Sequence, residues 1–239
     1  MFERLHHQRI ARVLAAFDTA FLQEADCYFG GGTAIVMALS EYRESRDIDF
    51  LCASTEGYRL LRNTITQQSL GRLLKSPLSY RREIRADRYG IRTVIDIDGV
   101  PIKLEIVNEG RIRIGGSVDE VLSVPVLCRA DMYAEKLLAN ADRGQDRSTL
   151  NRDIIDLAMM IAHWGEIPSQ AWEKAESAYG QHVARAYHDA CGMIRDLNWL
   201  KQCLERMQMD PELSDCITRA LVSDPRRASG MATPLSPDT

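Results

Sequence analysis

The residues that could do chemistry are concentrated between Phe29 and Phe50, in the stretch FGGGTAIVMALSEYRESRDIDF. Asp47 and Asp49 stand two apart in an alternating segment, which puts both carboxylates on one face of a strand and Ile48 and Phe50 on the other. Like charges held side by side repel unless a cation bridges them, and an oxygen-only donor pair suits Mg²⁺ or Mn²⁺. Upstream, three glycines end an apolar run and open onto Thr33-Ala34-Ile35-Val36, so a tight turn leads into the first turn of a helix. The unpaired N–H groups of Gly31 and Gly32 at such a helix start, with the Thr33 hydroxyl, suit the β- and γ-phosphates of a nucleotide. Arg43 and Ser45, just ahead of the acidic pair, are further candidate phosphate contacts. A phosphate cradle beside a two-carboxylate metal site points to nucleotide chemistry. Each half alone is common, since Gly-rich turns often precede helices and D-x-D is often a strand's solvated face. A dinucleotide fingerprint does not fit, because the third glycine position is Ile35 and no parallel βαβ unit follows.

The order Gly31-Gly32-Thr33-Ala34, then Arg43-x-Ser45-x-Asp47-Ile48-Asp49-Phe50, resembles the nucleotidyltransferase signature of the AbiEii/AbiGii family of bacterial toxins, within the DNA polymerase β-like nucleotidyltransferase superfamily. A second stretch, Ala134-Glu135-Lys136-Leu137-Leu138-Ala139-Asn140 followed by Arg152-Asp153-Ile154-Ile155-Asp156-Leu157, resembles that family's AEKL-A … RDLYDL block. Together the two matches run from about Cys27 to Leu157.

The resemblance implies an α+β fold: a polymerase β-like core of mixed sheet flanked by helices, followed by a C-terminal helical bundle. It implies a metal-dependent transfer of a nucleoside monophosphate from an NTP to an acceptor, with tRNA preferred, by a toxin that has a cognate antitoxin. Asp47 and Asp49 would bridge Mg²⁺ or Mn²⁺, and a third carboxylate from a neighbouring strand would complete the metal site and accept the hydroxyl proton. Glu105 is chosen for that role because Ile102-Lys103-Leu104-Glu105-Ile106 has the hydrophobic-acid-hydrophobic form. Asp96 and Asp98 are its rivals, Asp98 being better suited to a turn and Asp96 to the outer face. Lys136 becomes a catalytic and nucleotide-binding candidate, with Asp153 placed to orient it, because Asp153 and Asp156 share one helical face. The chain departs from the family at Met132, where a further lysine is expected one turn before Lys136. Two other functions share these motifs: a small-molecule nucleotidyltransferase of the aminoglycoside-modifying kind, and a catalytically silent module that binds a partner protein.

Composition bounds the reading. A chain of 239 residues supports one large domain or two small ones, and its net charge of −4 gives no global basic footprint. Any nucleic-acid contact would need a local patch, and residues 81–92, RREIRADRYGIR, are either that patch or a solvated strand pair. Six cysteines without a C-x-x-C pair read as free thiols, and no apolar run approaches a membrane span. A cytoplasmic protein with no membrane partner is expected.

The elements that must position the site follow from periodicity. Apolar spacing predicts a helix over residues 3–20, with His6 and His7 on its surface, and a short strand or loop at Asp26–Phe29 entering the glycine turn. A helix is expected from Ser54 to about Lys75, then strands near 78–87, 91–97 and 100–107, the last two joined by the hairpin signal Asp98-Gly99. From Pro125 the pattern is helical, with helices near 127–141 and 150–164 and three or four more from Ser169 to Val222. The expected domains are 1–124 (nucleotidyltransferase core), 125–222 (helical) and a disordered tail from Ser223 to Thr239.

Overall fold

The computed structural model describes residues 2–222; the expected disordered tail lies outside the described residues. The chain divides into two compact units, Met1–Glu135 and Lys136–Thr239.

The first unit is built on a mixed sheet of seven strands: β1 (Cys27–Gly30), β2 (Ile48–Cys52), β3 (Ser79–Ala86), β4 (Gly90–Ile97), β5 (Val100–Asn108), β6 (Gly116–Val118) and β7 (Pro125–Leu127). Their order across the sheet is β3-β4-β5-β2-β1-β7-β6. β2 lies at the centre, antiparallel to β1 and parallel to β5. Strict alternation in β4 and β5 makes one face of the sheet apolar: Ile91, Ile95, Ile102, Leu104 and Ile106 are fully buried, joined by Ile48 and Phe50 of β2. Phe17 and Phe29 close on Phe50 with ring centroids 5.0 and 5.7 Å away, an aromatic cluster at the middle of that core. The opposite face carries Arg92, Val94, Asp96, Lys103 and Glu105, all partly or fully exposed. The β4–β5 hairpin turns at Asp98 and Gly99, both with positive φ (52° and 75°), as the sequence signal requires.

The expected first helix is two helices, α1 (Leu5–Leu14) and α2 (Thr19–Glu24), because Asp18 accepts the Phe21 N–H and starts the chain afresh. His7 is fully buried, which overturns the surface assignment. It falls on the same stripe of α1 as Ile10, Val13 and Leu14. α3 (Gly31–Ala38) leaves the end of β1 directly and packs on β1 and β2. The helix expected to reach Lys75 stops early: α4 spans Thr55–Arg62, capped by Ser54. Thr64 then bonds the Leu61 carbonyl through its hydroxyl, and an antiparallel bridge pairs Thr66 with Ser69.

α5 (Arg129–Arg143) contains the boundary between the two units. The second unit continues with α6 (Arg152–Trp164), α7 (Ser169–Tyr179), α8 (His182–Ile194), α9 (Leu197–Arg206) and α10 (Leu213–Val222). α10 packs on α6 and α9, and α8 on α6, α7 and α9. Trp172 meets Tyr187 edge-on at 5.2 Å, and Trp199 donates its indole N–H to Asn151 at 2.7 Å, so the aromatics of this unit are packing residues. Among the described residues no helix is long and apolar enough to cross a membrane.

Candidate active site

Asp49 sits near the start of β2 with a different neighbour on each flank. In the antiparallel direction its partner is Gly30, and in the parallel direction it is Glu105. In-register residues of neighbouring strands project to the same face, so Asp49 and Glu105 share the polar face of the sheet. Asp47 lies two residues before Asp49, just ahead of the strand. On the other flank the chain turns at Gly31, whose φ of +66° favours glycine. A Cβ added there would lie 2.6 Å from Asp49 Oδ2, so the missing side chain is what leaves room for the carboxylate. The amides of Gly31 and Gly32 open α3 at that place.

The loop that delivers Asp47 is braced from below. The buried Thr33 hydroxyl donates to the Asp47 carbonyl at 2.5 Å and contacts the Ser45 hydroxyl at 2.8 Å. The Ser45 N–H donates to His7 Nε2 at 3.1 Å, while His7 Nδ1 meets Glu41 Oε1 at 2.7 Å. Nε2 must therefore be the unprotonated nitrogen and Nδ1 the donor. Burial pushes the His7 pKa below its ordinary value and outweighs the opposing pull of Glu41, so the ring is neutral at pH 7. Glu41 also accepts the backbone N–H groups of Glu3 and Arg4 at the start of α1, at 2.5 and 3.1 Å. Arg43 is buried, and its guanidinium donates to the Glu44 carbonyl at 3.0 Å. Thr33 and Ser45, both chosen as phosphate contacts, thus meet beneath the acidic loop, while Arg43 bonds the adjoining Glu44 carbonyl.

Glu105 is held by two cations: Arg92 Nε donates to its Oε1 at 2.6 Å, and Lys103 Nζ to its Oε2 at 2.8 Å. Burial works to raise the Glu105 pKa, but those two hydrogen bonds more than offset it, and the carboxyl stays below its ordinary value. Burial likewise opposes the Lys103 charge, and Glu105, Asp47 and Asp49 together overcome it and hold the amine protonated. Among the described residues, no three His, Cys, Asp or Glu side chains are already drawn together as a metal site. The rivals lie elsewhere. Asp98 pairs with Arg12 at the hairpin turn. Asp96 is on the same face as Glu105, not on the opposite one, but it stands opposite Pro101, four residues along β5 from Glu105, and is bound by Arg81.

In the second unit, Lys136 is 5% exposed and bridges Asp153 Oδ1 at 2.8 Å and Asp156 Oδ2 at 2.6 Å. Arg143 closes the cluster with hydrogen bonds of 2.7 and 3.0 Å to Asp153. Burial would raise the Asp153 pKa, yet Lys136 and Arg143 outweigh it and hold the carboxyl far below the usual range. Glu135, beside Lys136 in sequence, belongs to a different cluster, in which Arg111 bonds both it and Glu109. Burial and the Glu109 charge push the Glu135 pKa up to about 8.

Sequence reasoning missed His7, Arg92 and Lys103 as site residues. For His7 a signal existed, since it occupies the apolar stripe of α1. For Lys103 it was the shared parity with Glu105. Arg92 had none beyond an arginine-rich strand.

Comparison with known proteins bears on the whole chain. A family model described as "Nucleotidyl transferase AbiEii toxin, Type IV TA system" matches residues 12–233. No curated protein matches. Among solved structures, JHP933 from Helicobacter pylori superposes with a TM-score of 0.53 at 15% identity, over 96% of this chain and 94% of that one. A second H. pylori chain, described as a presumptive nucleotidyltransferase, gives 0.52 at 16% identity over 94% of each chain. MenT4, a nucleotidyltransferase toxin from Mycobacterium tuberculosis, gives 0.35 at 12% identity over 92% of this chain and 94% of its own. At these identities the H. pylori likenesses establish a shared fold.

Proposed function

We propose that this chain, which belongs to the nucleotidyl transferase AbiEii toxin family, moves a nucleoside monophosphate from an NTP onto the 3′ end of an RNA, with tRNA as the acceptor. The nucleotidyltransferase class follows from the family, and the acceptor from the sequence resemblance. The observation that carries the reading is the pair of flanks around Asp49: Gly31, whose missing side chain leaves room for the Asp49 carboxylate, and a second carboxylate, Glu105, in register.

The donor set fits a hard divalent cation. Asp47, Asp49 and Glu105 offer only oxygens, and a Cβ at Gly31 would fill the space beside Asp49. Glu105 would first have to exchange its Lys103 contact. Lys103 is 49% exposed, and an ion pair at that exposure costs about 0–1 kcal/mol to break. Mg²⁺ or Mn²⁺ held there would offset charge on the α-phosphate and on the departing pyrophosphate.

The chain's own groups do the rest. The Gly31 and Gly32 amides hold the β- and γ-phosphates, and Arg43 and Ser45 fix the loop beneath them. The acceptor hydroxyl oxygen bonds to the α-phosphorus, the bond to the bridging oxygen breaks, and pyrophosphate leaves. The hydroxyl proton passes to Glu105, which Arg92 keeps ionised until that moment. Lys136 is a nucleotide-binding candidate by resemblance alone, since its buried ammonium is committed to Asp153 and Asp156.

Purified protein incubated with labelled NTPs, Mg²⁺ and total tRNA is expected to label RNA, and Asp49→Ala to reduce labelling at least a thousandfold without unfolding the chain. Undiminished labelling by that variant refutes the metal-site assignment. Transfer of the label to an added aminoglycoside instead of RNA would establish the small-molecule alternative. Growth arrest on induced expression tests the toxin role, and its relief by a cognate antitoxin tests the partner.

A further inference from the structure

Beside Asp47 the polar face of the sheet opens into a groove of about 1050 Å³ lined by six basic side chains and two acidic ones. The whole chain carries a net charge of −4, so this concentration of positive charge is local and runs against the overall balance.

Two irregularities in β3 create it. Tyr80 pairs with Ile95, Arg82 with Val94 and Arg85 with Arg92, so β3 gains an extra residue against β4 twice within six positions. In an unbroken strand Arg82 and Arg85, three apart, would face opposite ways. The bulges turn both onto the face of Val94 and Arg92, and β5 continues that face with Lys103 opposite Val94 and Glu105 opposite Arg92. Cations therefore cross three strands, from the sheet edge to the in-register neighbour of Asp49.

Most of the groove's cations already have partners. Arg81 is bound to Asp96, Arg46 to Glu44, and Arg92 and Lys103 to Glu105. Arg82 and Arg85 are exposed and form no ion pair among the described residues. Mutually repelling guanidiniums, aimed into one groove and left without a counter-charge, are complementary to an extended polyanion. The sheet order β5-β2-β1 sets this groove on one flank of Asp49 and the Gly31 turn on the other. An NTP at the glycines and a second anionic ligand in the groove would thus reach the acidic pair from opposite sides.

We propose that this groove seats the sugar–phosphate backbone of the acceptor RNA, with Arg82 and Arg85 as its free phosphate ligands and Asp47 at the end where the 3′ hydroxyl reacts. The proposal rests on the nucleotidyl-transfer reading, so its test measures binding and not turnover.

Binding of a fluorescein-labelled single-stranded RNA and of a labelled tRNA acceptor hairpin is followed by anisotropy across a KCl series, in full-length protein carrying Asp49→Ala. Binding of each of the four NTPs with Mg²⁺ is measured by calorimetry in parallel, on the same Arg82 and Arg85 variants in protein that keeps Asp49. Adding Arg82→Glu with Arg85→Glu is expected to weaken RNA binding at least tenfold and leave NTP affinity unchanged. Adding Arg82→Gln with Arg85→Gln, which removes charge without reversing it, is expected to flatten the slope of log K against log[salt] by about 1.4, or about 0.7 per lost phosphate contact. Three results overturn the proposal: no RNA binding by the parent protein, RNA affinity unchanged in both double variants, or loss of NTP binding in step with RNA binding. RNA binding that depends on Arg82 and Arg85, together with a wild-type protein that labels no RNA, would sink the transfer reading and leave the groove standing.

Discussion

On the sheet, the Glu105 side chain is 19% exposed and shares Arg92 and Lys103, at 41% and 49%; in the helical unit, the Asp153 side chain is 2% exposed and shares Arg143, at 39%, and Lys136, at only 6%. The bonds are alike in length, 2.6 and 2.8 Å in the first case and 2.7 and 2.8 Å in the second. What separates the two networks is access to water. Ions in an open network can return to solvent or to a ligand when a contact breaks, so the contact is cheap to exchange. In a sealed network the orphaned charge has nowhere to go, and loss of one partner is costly. Pairing that looks the same in distance therefore serves exchange on the sheet and fixity among the helices.

The largest effect that can break this contrast is at Asp153. Asp153→Ala leaves Lys136 without one of its two carboxylates and removes the Arg143 bonds to Asp153, and is expected to lower unfolding free energy by about 3–5 kcal/mol in urea titrations. A cost under about 1 kcal/mol would mean that the helical cluster is as exchangeable as the sheet one.

An intermediate effect is expected at His7, a sealed pair placed beneath the open face. His7→Ala removes the partner of Glu41 and of the Ser45 N–H, and should cost about 1–3 kcal/mol. The pH dependence has a definite sign. The folded pKa of His7 lies below its unfolded value of 6.5, so below about pH 6.5 the unfolded chain binds more protons and stability falls as pH drops. Melting curves from pH 7.5 to 5 should show that loss in the wild type and a smaller one in His7→Ala. Equal slopes would mean that His7 does not carry it. The smallest effect is predicted for Lys103→Ala, within about 1 kcal/mol of wild-type stability by the same melts.

How much of this was legible beforehand depends on the distance over which each fact is encoded. The glycine turn, the Asp98-Gly99 hairpin and the alternation that sets Lys103 and Glu105 on one face are local patterns, and each has its expected place in the structure, whereas Asp47, expected on the strand with Asp49, lies just ahead of it. The end of α4 was also local, but its signal, two threonines and a serine, competes with an apolar spacing that continues to Leu74. His7 was misplaced because its partners lie 34 and 38 residues away, and nothing near it in sequence announces them. The facing of Arg82 and Arg85 could not be read at all, since a bulge is a property of two strands in register and leaves no mark on one of them. For Lys136 the sequence supplied the orienting partner, Asp153, but not that Asp156 and Arg143 would complete a buried cluster.

The bulged strand has one further consequence. β3 is the last strand of its sheet, and a terminal strand with free amides and carbonyls invites another chain to add itself alongside. Two interruptions within six residues spoil the even repeat that such an addition would copy, and the arginines they reorient repel a second identical edge. The feature that turns Arg82 and Arg85 into the groove thus also guards the protein against self-assembly through that edge.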